Sequence, residues 1–151
     1  MNQRQRLAQC SGKRQVMNEQ YEIVPGESIG PFKLGMPRDE IEALDSRPLA
    51  PQNGMPRPGV VVLYDDKDRC CKILATFSYD ASPPIFTLFG QMVNGMTERQ
   101  FAALLRTVAS DVQLSYAAVG SRSAGILAAK WERTDDHIMS IAVIPRTHIE
   151  I

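Results

Sequence analysis

Gly30-Pro-Phe-Lys-Leu-Gly-Met-Pro-Arg-Asp-Glu-Ile-Glu-Ala-Leu44 is followed sixty residues later by Gly90-Gln-Met-Val-Asn-Gly-Met-Thr-Glu-Arg-Gln-Phe-Ala-Ala-Leu104. In both, an extended piece runs into a Gly-Met pair and then into a helix start. A glycine lets the chain leave a strand at positive φ. A methionine fills the irregular gap under the helix that follows. In the first copy Pro37 suits the first turn, where its missing N–H is not needed, and Asp39, Glu40 and Glu42 favour the positive end of the helix dipole. In the second, Thr97 and Gln100 have the spacing of a capping box. Phe101, Leu104, Leu105 and Val108 follow at the i, i+3, i+4, i+7 spacing of a core-facing stripe.

Outward from these corners the order of elements also matches. Tyr21 to Val24 reads as a strand, with Pro25-Gly26 as a turn, and Ile29 to Leu34 reads as a second extended piece. Residues 48–59 hold four prolines and two glycines and read as an irregular loop. Val60 to Tyr64 is a β-branched strand. Asp65-Asp66-Lys67-Asp68 is a hairpin turn, and Cys70 to Tyr79 returns. In the second half Ile85 to Val93 is extended, Gly125 to Trp131 and Ile138 to Ile144 are strands, and Glu132 to Asp136 is the turn between them. Gly30, Gly35, Met36, Ile41 and Leu44 match Gly90, Gly95, Met96, Phe101 and Leu104 at a constant offset of sixty. The expected fold class is α+β: two β-α-β-β repeats, about 21–80 and 85–145, forming a mainly antiparallel sheet with the helices packed on one face. The other sheet face is then left to solvent, to loops or to a ligand.

A chain of 151 residues fits a single domain over 18–151. Residues 1–17 carry Arg4, Arg6, Lys13 and Arg14 and no acid, and read as a disordered basic tail. The formal net charge of the whole chain is zero, which argues against nucleic acid as partner. The tail's four cations leave thirteen basic against seventeen acidic residues, so the body stands at −4. No stretch reaches the roughly 18 apolar residues of a membrane span, and the early cations are not followed by the apolar core of a secretory signal. Three cysteines, two adjacent, give no disulfide framework. The reducing cytoplasm is the expected compartment, with no membrane partner.

Chemistry-bearing clusters are few. Asp65, Asp66 and Asp68, and Asp135, Asp136 with His137, fall on the two hairpin turns. Turn chemistry explains acids there, so no metal and no cofactor is expected. Cys70 or Cys71 with His137 could pair as nucleophile and base, yet nothing in the sequence marks either thiol as activated. No catalytic residue is therefore assigned. Phosphate loops, nucleophile elbows and paired CxxC motifs are absent from the sequence.

Ile23 to Ile41, with Pro25-Gly26, Gly30-Pro31, Leu34-Gly35-Met36 and Glu40-Ile41, resembles a PGxxxGPxxLGMxxxEI/V motif of small bacterial proteins. Some of these resemble immunity proteins that neutralise a toxin delivered between competing bacteria. The Gly-Met-x-x-x-x-Ile/Phe element is similar to the tandem α/β repeats of the beta-lactamase inhibitor protein and of small outer-membrane assembly lipoproteins. Those secreted proteins carry signal peptides, and no such segment is read here. The resemblance implies a cytoplasmic immunity protein, not an enzyme, that blocks a cognate toxin by covering its active site. The −4 body favours a basic contact surface on the target. The expected contact residues are Tyr64, Asp65, Asp66, Asp68, Trp131, Asp135 and Asp136. The alternative is a small-molecule-binding module using the free sheet face or the space between the repeats.

Overall fold

β-Branched and aromatic side chains alternate with polar ones over short spans, and the spans are separated by glycine turns, so the chain builds many short strands. A computed structural model describes residues 20–44, 59–77, 84–115, 118–130 and 137–146. The basic tail 1–17, the loop 48–58, Trp131, Asp135 and Asp136 lie outside the described residues. The elements in chain order are β1 (Gln20–Val24), β2 (Ser28–Ile29), β3 (Phe32–Lys33), α1 (Arg38–Ala43), β4 (Val60–Tyr64), β5 (Cys70–Thr76), β6 (Ile85–Leu88) and β7 (Gln91–Met92). They continue with α2 (Glu98–Leu105), β8 (Gln113–Leu114), β9 (Ala118–Ser121), β10 (Ile126–Lys130) and β11 (Ile138–Val143).

The class is α+β and mainly antiparallel, but the strands form two sheets where one was expected. The order β4-β5-β11-β10-β9-β8 makes a six-stranded antiparallel sheet. The order β3-β2-β1-β6-β7 makes a five-stranded sheet in which β1 and β6 run parallel. The cause lies in the stretches read as single extended pieces, 29–34 and 85–93, each of which is a tight hairpin. Ile29 pairs with Phe32 across Gly30-Pro31, and Leu88 pairs with Gln91 across Phe89-Gly90. Each short strand folds back on its own sheet before the Gly-Met corner carries the chain onward. Strands β8 and β9 were not anticipated, because Gln113-Leu114 and Ala118 to Ser121 are too short and too small in side chain to show a period.

The two hairpins also break the constant offset of sixty. Gly30 is the first residue of its tip and Gly90 the second of its own. The hairpins match at fifty-nine: Leu34 N–H donates to the Glu27 carbonyl at 2.8 Å, and Val93 N–H to the Phe86 carbonyl at 2.9 Å. Asn94 is the extra residue that restores sixty by the corner. Its side chain is put to use, accepting from Phe86 N–H at 2.8 Å and donating to the Pro84 carbonyl at 2.9 Å.

From Gly35 and Gly95 onward the two corners share several features. Both glycines have positive φ, +86° and +84°. Met36 carbonyl accepts from Cys70 N–H at 2.8 Å, and Met96 carbonyl from Ile138 N–H at 2.9 Å. Pro37 bridges Arg69 and Thr97 bridges His137. The capping box is present: Gln100 N–H donates to Thr97 Oγ1 at 3.1 Å and Thr97 N–H to Gln100 Oε1 at 3.0 Å. Pro37 instead occupies the cap position of α1 with no side-chain bond. Phe101, Ala102, Leu104 and Leu105 are buried on α2, which packs on β9 and β8. Val108, expected to continue that stripe, is 57% exposed because the helix closes at Leu105.

One cluster of buried side chains joins both sheets, with Phe32, Phe86, Phe101, Ile41, Ile73 and Ile141 among its largest fully buried members. A second tie between the sheets is made by backbone alone. The Gly125 carbonyl accepts from Gly26 N–H at 3.1 Å and Ile144 N–H at 3.0 Å. A Cβ on Gly125 would lie 2.4 Å from the Ile144 carbonyl oxygen and 2.6 Å from Gly26 Cα, whereas one on Gly95 would meet nothing within 4 Å. Gly95→Ala should therefore cost only the left-handed backbone, about 1–2 kcal/mol, and Gly125→Ala about 3 kcal/mol or more, since overlap is added. Urea unfolding of both variants measures this, and equal losses would refute the close approach.

Candidate partner-binding site

The β4–β5 hairpin places four of the expected contact residues together. Tyr64 ends β4, and Asp65 opens the turn with its Oδ1 accepting from Lys67 N–H at 2.9 Å and Arg69 N–H at 3.0 Å. Those bonds, that from Arg69 the stronger influence, hold the Asp65 carboxyl below the usual carboxylate range. Asp68 adopts positive φ, +63°, a conformation that aspartate tolerates better than most residues. Its Oδ1 accepts from Arg38 Nε at 2.8 Å. Arg38 belongs to α1, so this pair and the bond from Arg38 N–H to the Asp68 carbonyl, 2.9 Å, fasten the tip to the helix start. The Arg38 guanidinium also lies over the Tyr64 ring, 4.0 Å from its centroid. Burial pushes the Tyr64 hydroxyl up to about 12, against the opposing pull of Arg38. Arg69 Nη1 donates to the Gly35 carbonyl at 3.0 Å, which ties the tip to the corner.

The geometry alters the expected electrostatics. Asp65, Asp66 and Asp68 are all exposed, with Asp65 Oδ1 bonded to amides of the turn and Asp68 Oδ1 to Arg38. Lys67, Arg69 and Arg38 balance the three aspartates, so the tip is close to neutral as a whole. The exposed Arg38–Asp68 pair is screened by solvent and contributes little to stability; it acts mainly to fix geometry. Trp131, Asp135 and Asp136, the counterparts on the other turn, lie outside the described residues.

The two cysteines and His137 are not brought together. On the β5–β11 ladder Ile73 faces Val143 and Thr76 faces Ser140. Cys71 lies beyond the Ile73 end and His137 beyond the Ser140 end, so ~25 Å of strand separates them. Cys70 is buried, and burial pushes its thiol up to about 11, the opposite of activation. Among the described residues, no three His, Cys, Asp or Glu side chains are grouped so as to hold a metal ion, and no helix is long and apolar enough to cross a membrane.

A polar cluster missed in the sequence sits at the β9–β10 turn. Ser121 Oγ donates to Asp111 Oδ1 at 2.5 Å, Ser123 Oγ to the same atom at 2.7 Å, and Ser123 N–H to Asp111 Oδ2 at 3.0 Å. Ser121 Oγ accepts from Ala124 N–H at 3.1 Å. Serine beside aspartate suggests a nucleophile, but here both hydroxyls are donors to the carboxylate, and the group closes a turn. The signal was an aspartate ten residues before a Ser-x-Ser, a separation that no local motif encodes.

Compared with protein-family models, with curated proteins and with solved structures, the chain matches none.

The serine bonds, that from Ser121 foremost, hold Asp111 down to about 2. A depressed carboxylate contributes stability that is complete above its unfolded value, about 4, and that disappears as pH falls through the folded value. The difference in urea midpoint between the wild type and Asp111→Asn should be constant at neutral pH and shrink between about pH 4 and 2. A difference independent of pH over that range would refute the assignment.

Proposed function

We propose that the chain is a non-enzymatic binding protein of the immunity type, a cytoplasmic antagonist that covers the active site or substrate path of a cognate toxin. The observation that carries this reading is the preset hairpin tip at residues 64–69. Two Asp65 bonds, the Arg38–Asp68 pair and the Arg38–Tyr64 stack brace the tip from within the chain. A rigid tip loses less entropy on association than a loose one. Asp66 and Lys67 are left exposed at its end, available to a partner.

The scaffold beneath is read as a duplicated unit with an internal pseudo-twofold axis. A shift of sixty-eight takes Ile73 to Ile141 and Ala75 to Val143. The ladder pairs Ile73 with Val143 and Ala75 with Ile141, so the shift exchanges these two pairs and leaves Leu74 opposite Ala142. Both outer ladders carry an irregularity at matching points, Leu63/Tyr64 and Ala129/Lys130. The equivalent Gly-Met corners and these registers support two halves of common design.

Co-expression with the toxin encoded beside it should restore growth, and the two chains should co-elute. Asp66→Lys, at an exposed position, should weaken the complex about tenfold, since a reversed charge in a contact acts repulsively. Absence of both rescue and co-elution for the wild type would refute the antagonist reading. Unchanged affinity in Asp66→Lys would remove the tip from the contact surface.

A further inference from the structure

The turn after β1, the tip of the β6–β7 hairpin, the end of α2 and the β9–β10 turn converge on a groove of about 390 Å³. Val24, Phe89, Val108 and Ala124 line it, one from each segment. Among the described residues only Ser123 and Arg146 bring polar side chains to its lining, and Arg146 is the ionisable one. Such a volume lies at the small end of ligand pockets, roughly 300–1,000 Å³. Nothing in the hairpin tip at 64–69 accounts for this groove.

Two of its apolar side chains sit where folding alone does not favour them. Both residues of the β6–β7 tip have positive φ, Phe89 at +52° and Gly90 at +80°. That is the pattern of a type I′ turn, whose first position suits asparagine, aspartate or glycine. A phenylalanine there is costly to the backbone, and this one is 41% exposed. Val108, just past the end of α2, is 57% exposed. Both meet in the same groove.

The cation of the groove is fixed in place. Arg146 follows β11 and lies across the turn after β1. A Cβ on Gly26 would be 2.5 Å from Arg146 Cγ and from Nε, so the missing side chain lets the arginine cross there. Nη2 donates to the Pro25 carbonyl at 2.9 Å. The same nitrogen lies 3.6 Å from Glu27 Oε2, and both side chains of that pair are exposed, so solvent screens it. A guanidinium has five N–H donors, and one nitrogen makes both of these contacts. No acid lines the groove.

We propose that this groove binds a small organic monocarboxylate with an apolar body. The carboxylate meets Arg146, and the body lies against Phe89 and Val108. A planar guanidinium matches a carboxylate in charge and in geometry. Because Arg146 is anchored by Pro25 and Gly26, it loses little freedom when a ligand arrives. The apolar lining then selects the rest of the molecule, and the single cation orients it. The site uses none of the residues of the antagonist reading, and either can fail alone.

The test is titration of the full chain, followed by amide NMR spectra, with hexanoate, octanoate, phenylacetate and hydrocinnamate, each beside its primary amide. The expected result is saturable shifts of the Phe89, Val108, Ala109 and Ala124 amides with at least one carboxylate, its primary amide binding about tenfold more weakly. In Arg146→Gln the carboxylate should fall to the level of its amide, a loss of discrimination that a merely structural arginine would not produce. Phe89→Asn suits the turn and should fold at least as stably, yet bind the carboxylate several-fold more weakly. Thermal melts verify folding of both variants, and the wild-type comparison with Phe89→Asn decides the matter without the arginine variant. No saturable shift below about 10 mM, shifts confined to other parts of the chain, equal binding of carboxylate and amide, or unchanged binding by Phe89→Asn would each overturn the proposal.

Discussion

Two backbone carbonyls, those of Met36 and Met96, connect the parts of this molecule. Each follows a glycine in the left-handed region and accepts from the first residue of a long strand, Cys70 or Ile138. The bond fixes where a short hairpin of the five-stranded sheet ends, where a helix starts and where a strand of the six-stranded sheet begins. A side chain at the glycine would meet no atom, so its requirement is conformational. The methionine side chains, packed against the core cluster, fill the space that such a turn opens.

Much of this was legible because it is local. Glycine conformation, the Thr97/Gln100 box, the β-branched run at 60–64 and the acidic turn at 65–68 are each written within a few residues. What was not legible depends on residues far apart or on a count of one. The hairpins at Gly30-Pro31 and Phe89-Gly90 were read as single strands because their arms are two to four residues long, too short for alternation to show. The offset error at Gly90 follows from Asn94, a one-residue insertion whose side-chain bonds only the folded chain reveals. The division into two sheets depends on register, which a periodicity of two leaves undetermined until pairing partners are known.

Of the candidate site, the hairpin that carries Tyr64, Asp65, Asp66 and Asp68 was legible, and the cations set against its acids were not. Aspartates at 65 and 68 were counted as displayed anions. Both are exposed, but one oxygen of Asp65 is held by two amides of its turn and one of Asp68 by Arg38, thirty residues earlier in the chain. The turn engages a single carboxylate oxygen, Asp65 Oδ1, and Arg38 a second, Asp68 Oδ1. The result is a tip with little net field, so the contact proposed through it relies on fit and on short-range interactions more than on long-range steering.

The surface along β7 and α2 has the opposite character. Its edge strand is only two residues long, its lining mixes Met92, Met96 and Leu104 with Gln91, Asn94, Gln100 and Thr107 and holds no ionisable side chain, and Met92 and Phe89 face solvent there. Neither property contributes to folding: an exposed methionine and a tip phenylalanine at positive φ both cost stability relative to a polar residue and a glycine. A scaffold whose corresponding edge is blunted by Lys33 shows that the fold tolerates protection at that position. The uncharged edge is then a feature of the sequence at 89–92 and not of the architecture, and it is the shortness of β7 that limits pairing there.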